Sequence, residues 1–145
     1  MEILNSILIV DDDTSNLMEL SHILKQTYKV YAVKDGMAAI KKANESLPDL
    51  ILLDVIMPNM SGFEVIRELK KSEITKMIPV IFITGISESS KESEGFAMGA
   101  ADYIRKPFDS MVVKHRVNNQ MQIINLKRDL KKAVEAAVGG AVEGI

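Results

Sequence analysis

Residues Asp49 to Gly62 read D-L-I-L-L-D-V-I-M-P-N-M-S-G. Leu50 to Leu53 is an unbroken apolar run, short enough for a strand buried on both faces. It stops on Asp54. Pro58 and the cluster Asn59 to Gly62 then require a loop, because proline fixes φ and glycine accepts backbone angles closed to other residues. A carboxylate is thus placed at the C-terminal tip of a buried strand, the edge at which open α/β sheets take their ligands. The competing role for Asp54 is a cap on the next helix. The loop is long for that, and Ser61 stands closer to where a cap is needed.

Upstream, Ile7 to Val10 is a second apolar run and ends on Asp11-Asp12-Asp13. Helical spacing follows, with Leu17, Leu20, Ile23 and Leu24 on one face and Asp13 or Thr14 as the cap. Lys29 to Val33 reads as a shorter strand. After the Asp35-Gly36 turn, Met37, Ile40, Ala43 and Asn44 mark a helix that Pro48 closes. Downstream, Phe63, Ile66, Leu69 and Lys70 mark a third helix. Pro79 to Thr84 (P-V-I-F-I-T) is a fourth strand, and Ser89 to Met98 a weak helix stopped by Gly99. Asp102 to Arg105 is a fifth strand, followed by Lys106-Pro107. Asp109 opens a long helix predicted to run to Val138 and to end at Gly139-Gly140.

Strands alternating with helices give a doubly wound α/β domain with a parallel sheet. Right-handed crossovers put every strand's C-terminal end on one edge. Asp11 to Asp13, Asp54, Thr84 and Lys106 each lie at such an end, so four polar sites from four strands are predicted to converge.

The chain of 145 residues suits one domain, with 47% hydrophobic and 26% charged residues. A net charge of -2 gives no reason to expect direct nucleic-acid or anionic-membrane binding. There is no cysteine, which excludes disulfides, thiolate metal sites and cysteine nucleophiles. The first residues lack the basic region of a signal peptide and their apolar run meets three acids too soon for one, and no run approaches the length of a membrane span. The expected location is cytoplasmic. The nine methionines are scattered and read as core filler; His22 and His115, within helical patterns, read as surface or packing residues.

Two acids on the first strand's end and one on the third offer hard oxygen ligands of the kind Mg²⁺ prefers. Lys106 adds a cation and Thr84 a hydroxyl donor. A carboxylate can itself be a nucleophile, giving an aspartyl-phosphate. Phosphoryl transfer asks a protein mainly for positioning and charge stabilisation, so this small set suffices.

The order I-L-I-V-D-D-D, D-L-I-L-L-D-V-I-M-P-N-M-S-G, P-V-I-F-I-T-G and G-A-A-D-Y-I-R-K-P-F resembles the receiver domain of two-component response regulators, over roughly residues 5 to 124. The resemblance implies a flavodoxin-like (βα)5 fold with strand order 2-1-3-4-5. It implies Asp54 as phosphoacceptor, taking a phosphoryl group from a sensor histidine kinase or phosphotransfer protein. Asp12, Asp54 and the main-chain carbonyl of Ile56 would hold Mg²⁺, with Asp11 acting through water. Lys106 would contact the phosphoryl group, and its bond to Pro107 would be cis. Thr84 and Tyr103 match the pair that moves on phosphorylation and remodels the face of the fourth helix, fifth strand and fifth helix. Such a domain is not an enzyme in its own right; it catalyses only its own phosphorylation and slow dephosphorylation.

Two departures from the family pattern stand out. Ile56 and Ile86 occupy positions that flank the phosphoryl group and are often polar, so a long-lived phosphorylated state is expected. Arg116 is present, but Asn118 replaces the second of two arginines that pair across one type of receiver dimer. Residues 1-124 are read as the receiver and 125-145 as a helical extension or linker leading to an output domain absent from this chain; a stand-alone receiver is the alternative. Asn119, Ile123, Leu126, Leu130, Ala133 and Ala137 form a short heptad seam, which suits either a homodimeric coiled coil or a solvated tail. The rival function is a haloacid dehalogenase-type Mg²⁺-dependent phosphohydrolase, with Asp11 as nucleophile and Asp13 as acid/base. It lacks the later acidic pair and leaves Asp54 without a role. The cognate kinase, the signal and the output are not written in these residues.

Overall fold

The computed structural model describes residues 5–85 and 94–143, with backbone alone for 140–143. Strands β1 (Ser6–Val10), β2 (Lys29–Val33), β3 (Leu50–Asp54), β4 (Val80–Thr84) and β5 (Asp102–Arg105) form one parallel sheet. Their order is β2-β1-β3-β4-β5, as expected for the flavodoxin-like arrangement. Every residue of β3 and β4 is buried, which is why both read as continuous apolar runs.

Side chains alternate across the sheet. Ile7, Ile9, Leu50, Leu52, Ile81 and Ile83 point to one face, where helix α1 (Thr14–Leu24) supplies Leu17, Leu20 and Leu24. The C-terminal helix (Ser110–Glu143) covers the same face with Val113, Val117 and Met121. On the other face Leu8, Val10, Ile51, Leu53 and Phe82 meet α2 (Gly36–Ser46) and α3 (Gly62–Lys71). The sheet is thus sandwiched between two helical layers, and connections cross over to return each strand in parallel.

Capping fixes where the helices begin. Of the two candidates before α1, Asp13 takes the role, accepting from Asn16 N at 3.1 Å. Asp35 caps α2 through Ala38 N at 2.8 Å, and Ser61 caps α3 through Glu64 N at 3.2 Å. Helix α2 ends at Leu47 in the left-handed region (φ 45°), because the following Pro48 disfavours the right-handed one.

Several expectations need correction. Helix α2 buries Ala39 and Ala43 rather than Met37, which is exposed; small residues form the inner face here. Met18, Met77 and Met111 are exposed too, so methionine serves the core mainly at Met57 and Met121. The C-terminal helix does not stop at Gly139-Gly140 but continues to Glu143. Glycine within a helix costs only about 1 kcal/mol, and no residue there turns to positive φ. The first part of the predicted Ser89 to Met98 helix lies outside the described residues; Glu94 to Ala97 are helical, and Gly99 ends the turn with φ +98°.

The C-terminal helix is tied to the sheet's opposite edge. Asn5 and Asn125 exchange side-chain hydrogen bonds at 3.1 and 3.3 Å. Asp49 accepts from Ser6 N at 2.7 Å through one oxygen and from Arg128 Nη2 at 2.6 Å through the other. From Asp129 to Val138 the helix is exposed on all sides. Among the described residues no helix is long and apolar enough to cross a membrane.

Candidate functional site

The parallel topology delivers the chemistry-bearing residues to one edge. Asp11 follows β1, Asp54 closes β3, Thr84 closes β4 and Lys106 follows β5. Asp54 pairs in register with Ile83 and Thr84 with Arg105. Lys106 N donates to Thr84 O at 2.8 Å, and the Lys106-Pro107 peptide is cis as expected.

Lys106 joins the carboxylates. Its Nζ stands 3.1 Å from Asp11 Oδ2 and 3.3 Å from Asp54 Oδ2, with both acids buried (1% and 4% exposed). Asp12, which is exposed, completes a group whose carboxylate oxygens lie within 4.8 Å of one another. Asp11 Oδ1 accepts from Asp13 N at 2.9 Å and Asp54 Oδ1 from Ile56 N at 3.3 Å. Asp11 Oδ2 accepts no hydrogen bond of proper geometry, although the Lys106 ammonium is within ion-pair reach at 3.1 Å.

Burial is the main reason the Asp54 carboxyl is pushed up to about 7, and the charge of Asp11 adds to it. Attraction to Lys106 and the hydrogen bonds from Lys106 and Ile56 N oppose the rise without cancelling it. The Lys106 ammonium is correspondingly raised: desolvation alone would lower it, and the two carboxylates outweigh that. One lysine therefore does not neutralise this pocket.

The three acids fit a hard divalent cation. A buried, under-satisfied carboxylate oxygen and two acids forced together are what such an ion would stabilise, and oxygen-only donors suit Mg²⁺.

The loop after β3 closes over Asp54. Gly62 N donates to Val55 O at 2.8 Å, and Asn59 turns the chain with φ 70°. A β-carbon on Gly62 would overlap the Asp54 carbonyl oxygen and stand 2.9 Å from Val55 Cα, so only glycine allows this approach. The side chain of Ile56 is 63% exposed. Ile86, the other apolar position singled out above, lies outside the described residues.

Away from the acids, Tyr103 is buried within the core of β5. Its ring centroid is 5.5 Å from Phe82 and 4.8 Å from Phe96; Phe82 in turn meets Phe63 edge-on at 5.3 Å. Arg116 binds both oxygens of Asp102 in its own chain at 2.9 and 3.1 Å. His22 and His115 are exposed. Sequence reasoning missed the Asp49–Arg128 and Asn5–Asn125 ties, since partners far apart in the chain leave no local pattern.

Comparison with known proteins agrees with this geometry. A family model described as "Response regulator receiver domain" matches residues 7–118. A Vibrio cholerae protein named "Probable cyclic di-GMP phosphodiesterase" is 43% identical over 81% of this chain and 26% of its own length. "Response regulator PleD" of Caulobacter vibrioides is 40% identical over 78% of this chain and 25% of its own. The chain therefore spans about a quarter of the length of these curated relatives. The solved structure of the Vibrio cholerae chemotaxis protein CheY4 superposes with a TM-score of 0.77 at 31% identity, covering 81% of this chain and 98% of that one. The phosphohydrolase alternative finds no support: the match lies with a signalling family, and Asp13, its acid/base, caps α1. With its sheet order, its acidic strand ends and its bridging lysine, this chain belongs to the response regulator receiver domain family of two-component signalling.

Proposed function

We propose that Asp54 is the phosphoacceptor of this receiver and takes a phosphoryl group from a phosphohistidine of a sensor histidine kinase or phosphotransfer protein. One observation carries the reading: Lys106 spans two buried carboxylates, Asp11 and Asp54, at adjoining strand ends.

An Asp54 oxygen attacks phosphorus, the P–N bond to the donor imidazole breaks, and its electron pair returns to the ring nitrogen. Asp12, Asp54 and the main-chain carbonyl of Ile56 would hold Mg²⁺, with Asp11 acting through water. When bound, the ion supplies positive charge that keeps the acids ionised and offsets charge on the transferring oxygens. Lys106 serves one phosphoryl oxygen. Thr84, at the end of β4, donates its hydroxyl to another, and Tyr103 responds as the second member of the switch. The C-terminal side of the sheet then differs between states, which alters the surface of β5 and the adjoining helices.

Ile56, at the mouth of the site, supplies no hydrogen bond to a hydrolytic water, so the phosphorylated state is long-lived. Residues 1-124 form the receiver unit and 125-145 an extension toward an output domain. The exposed Leu126 and Leu130 of that extension suit pairing with a second copy through the heptad seam. The site lies in the cytoplasm, where such kinases present their phosphohistidine.

Intact-mass measurement after incubation with acetyl phosphate and Mg²⁺ tests the assignment. One added phosphoryl group on the wild type and none on Asp54→Ala is the expected result. Phosphorylation of Asp54→Ala would place the nucleophile elsewhere.

A further inference from the structure

We propose that Gly95 is the positioning residue for Tyr103: its missing side chain is what lets the ring lie buried, and a β-carbon at this position drives the ring outward. The inference rests on the Thr84–Tyr103 switch proposed above and adds the feature that gives the ring its inner position.

The steric case is direct. A β-carbon built on Gly95 would overlap the Tyr103 hydroxyl oxygen, stand 2.6 Å from Cζ and 3.2 Å from Phe82 Cδ2. Real β-carbons essentially never come within 3.0 Å of such atoms, so something must move. Gly95 does not have its identity for backbone reasons. It lies in the helical turn of residues 94–97, where alanine is the better former, and only Gly99 among the described glycines has positive φ.

The surroundings decide what yields. Phe82 is fully buried and cannot retreat. The Tyr103 backbone is held in the sheet opposite Phe82. The turn is held by bonds to Gly95 O from Met98 N and Ala100 N, both 3.1 Å. The Tyr103 side chain remains, and beside it lies a groove of 440 Å³ bordered by Phe96, Pro107, Val112 and Arg116. Rotation about χ1 carries the ring from its place over Gly95 into that groove. The buried and outward positions are thus two discrete arrangements, and residue 95 sets their balance.

The test uses the full chain labelled with fluorotyrosine, the Tyr103 resonance being assigned by its loss in Tyr103→Phe. In Gly95→Ala the buried Tyr103 signal should fall at least tenfold in favour of an exposed one, with or without phosphorylation, while Asp54 still accepts phosphate from acetyl phosphate. A Tyr103 signal that stays buried in Gly95→Ala overturns the inference. A thermal scan guards against misfolding: Gly95→Ala should lower the midpoint in the wild type but not in a Tyr103→Ala background, where the clash is gone. A lowered midpoint in both backgrounds likewise overturns it. Failure of wild-type Asp54 to take phosphate would sink the receiver-switch reading instead, leaving the ring measurement in the unphosphorylated protein to be judged by itself.

Discussion

Replacing Asp54 by Asn should change how stability depends on pH, because the folded protein holds this carboxyl near 7 and the unfolded chain near 3.8. Burial raises it first and the neighbouring charge of Asp11 second. A group whose folded pKa is raised contributes its stability below the unfolded value and loses it as pH climbs through the folded one. The shift of about 3 units corresponds to roughly 4 kcal/mol at 1.36 kcal/mol per unit. Of this, roughly a third is gone by about pH 5, and nearly all the rest disappears by about pH 8. Urea unfolding in EDTA at those two pH values measures it. The wild type should lose roughly 1 M more in midpoint than Asp54→Asn over this interval, given ordinary urea slopes. Millimolar Mg²⁺ should restore the wild type at the higher pH and leave Asp54→Asn nearly unchanged, since an ion that binds only the folded state stabilises it. Equal pH dependence in the two proteins would refute the claim that Asp54 is held partly protonated by burial and Asp11.

The remaining predictions concern the loop, the site mouth and the C-terminal helix. Gly62→Ala should destabilise by about 2–4 kcal/mol in urea unfolding, because its β-carbon meets the Asp54 carbonyl and backbone must shift; a change under about 0.5 kcal/mol would refute it. Ile56→Asn, at an exposed position, should leave stability within about 0.5 kcal/mol. It should shorten the phosphorylated state on the order of tenfold by positioning water, read as decay of the phosphorylated mass after acetyl phosphate is removed. An unchanged lifetime would defeat that account. Arg128→Ala should cost under about 1 kcal/mol as a half-exposed ion pair. Asp49→Ala, which also strands Ser6 N, should cost about 1–3 kcal/mol and speed amide exchange in both β1 and the helix beyond Asn125; equal costs for the two variants would show that the Ser6 bond contributes nothing.

The sheet edge could be read from sequence because its residues break a rule that the rest of each strand obeys. Asp54 and Thr84 end runs in which every residue is buried, and a polar group in such a place must face a site or find a partner. Parallel topology then does the assembling, since all such ends share one edge. Other features depend on distances between segments remote in the chain. The clearance between Gly95 and Tyr103 looks in sequence like any glycine in a weak helix. The same holds for Asp49: it flanks the most informative strand, yet its partners Ser6 and Arg128 lie 43 and 79 residues away. Met37 and Gly139-Gly140 misled for a different reason. Periodicity reports which residues are apolar and propensity reports what a helix prefers, whereas packing against neighbours decides burial and termination.

The two edges of the sheet are built for different tasks, and the contrast constrains how a signal would travel. At the C-terminal edge, carboxylates are crowded, one oxygen is under-satisfied and charge is unbalanced, so a small ligand shifts the energy strongly. At the N-terminal edge, Asp49 uses both oxygens, and Asn5 and Asn125 satisfy each other, which fixes the helix against the body. A rearrangement begun at Asp54 therefore meets a helix held at its middle by Asn125 and Arg128, with Arg116 bound to Asp102 nearer its start. Movement of the β5 surface around Tyr103 then has two outcomes for the exposed segment beyond Asp129. Either the helix moves as a rigid rod, and the Asp49–Arg128 and Asn5–Asn125 bonds break together, or those bonds hold and the change stays at the Tyr103 face. The side-chain amide resonances of Asn5 and Asn125, compared before and after phosphorylation, separate the two: loss of their mutual hydrogen bonds requires the rod to move, and unchanged resonances confine the output to the β5 face.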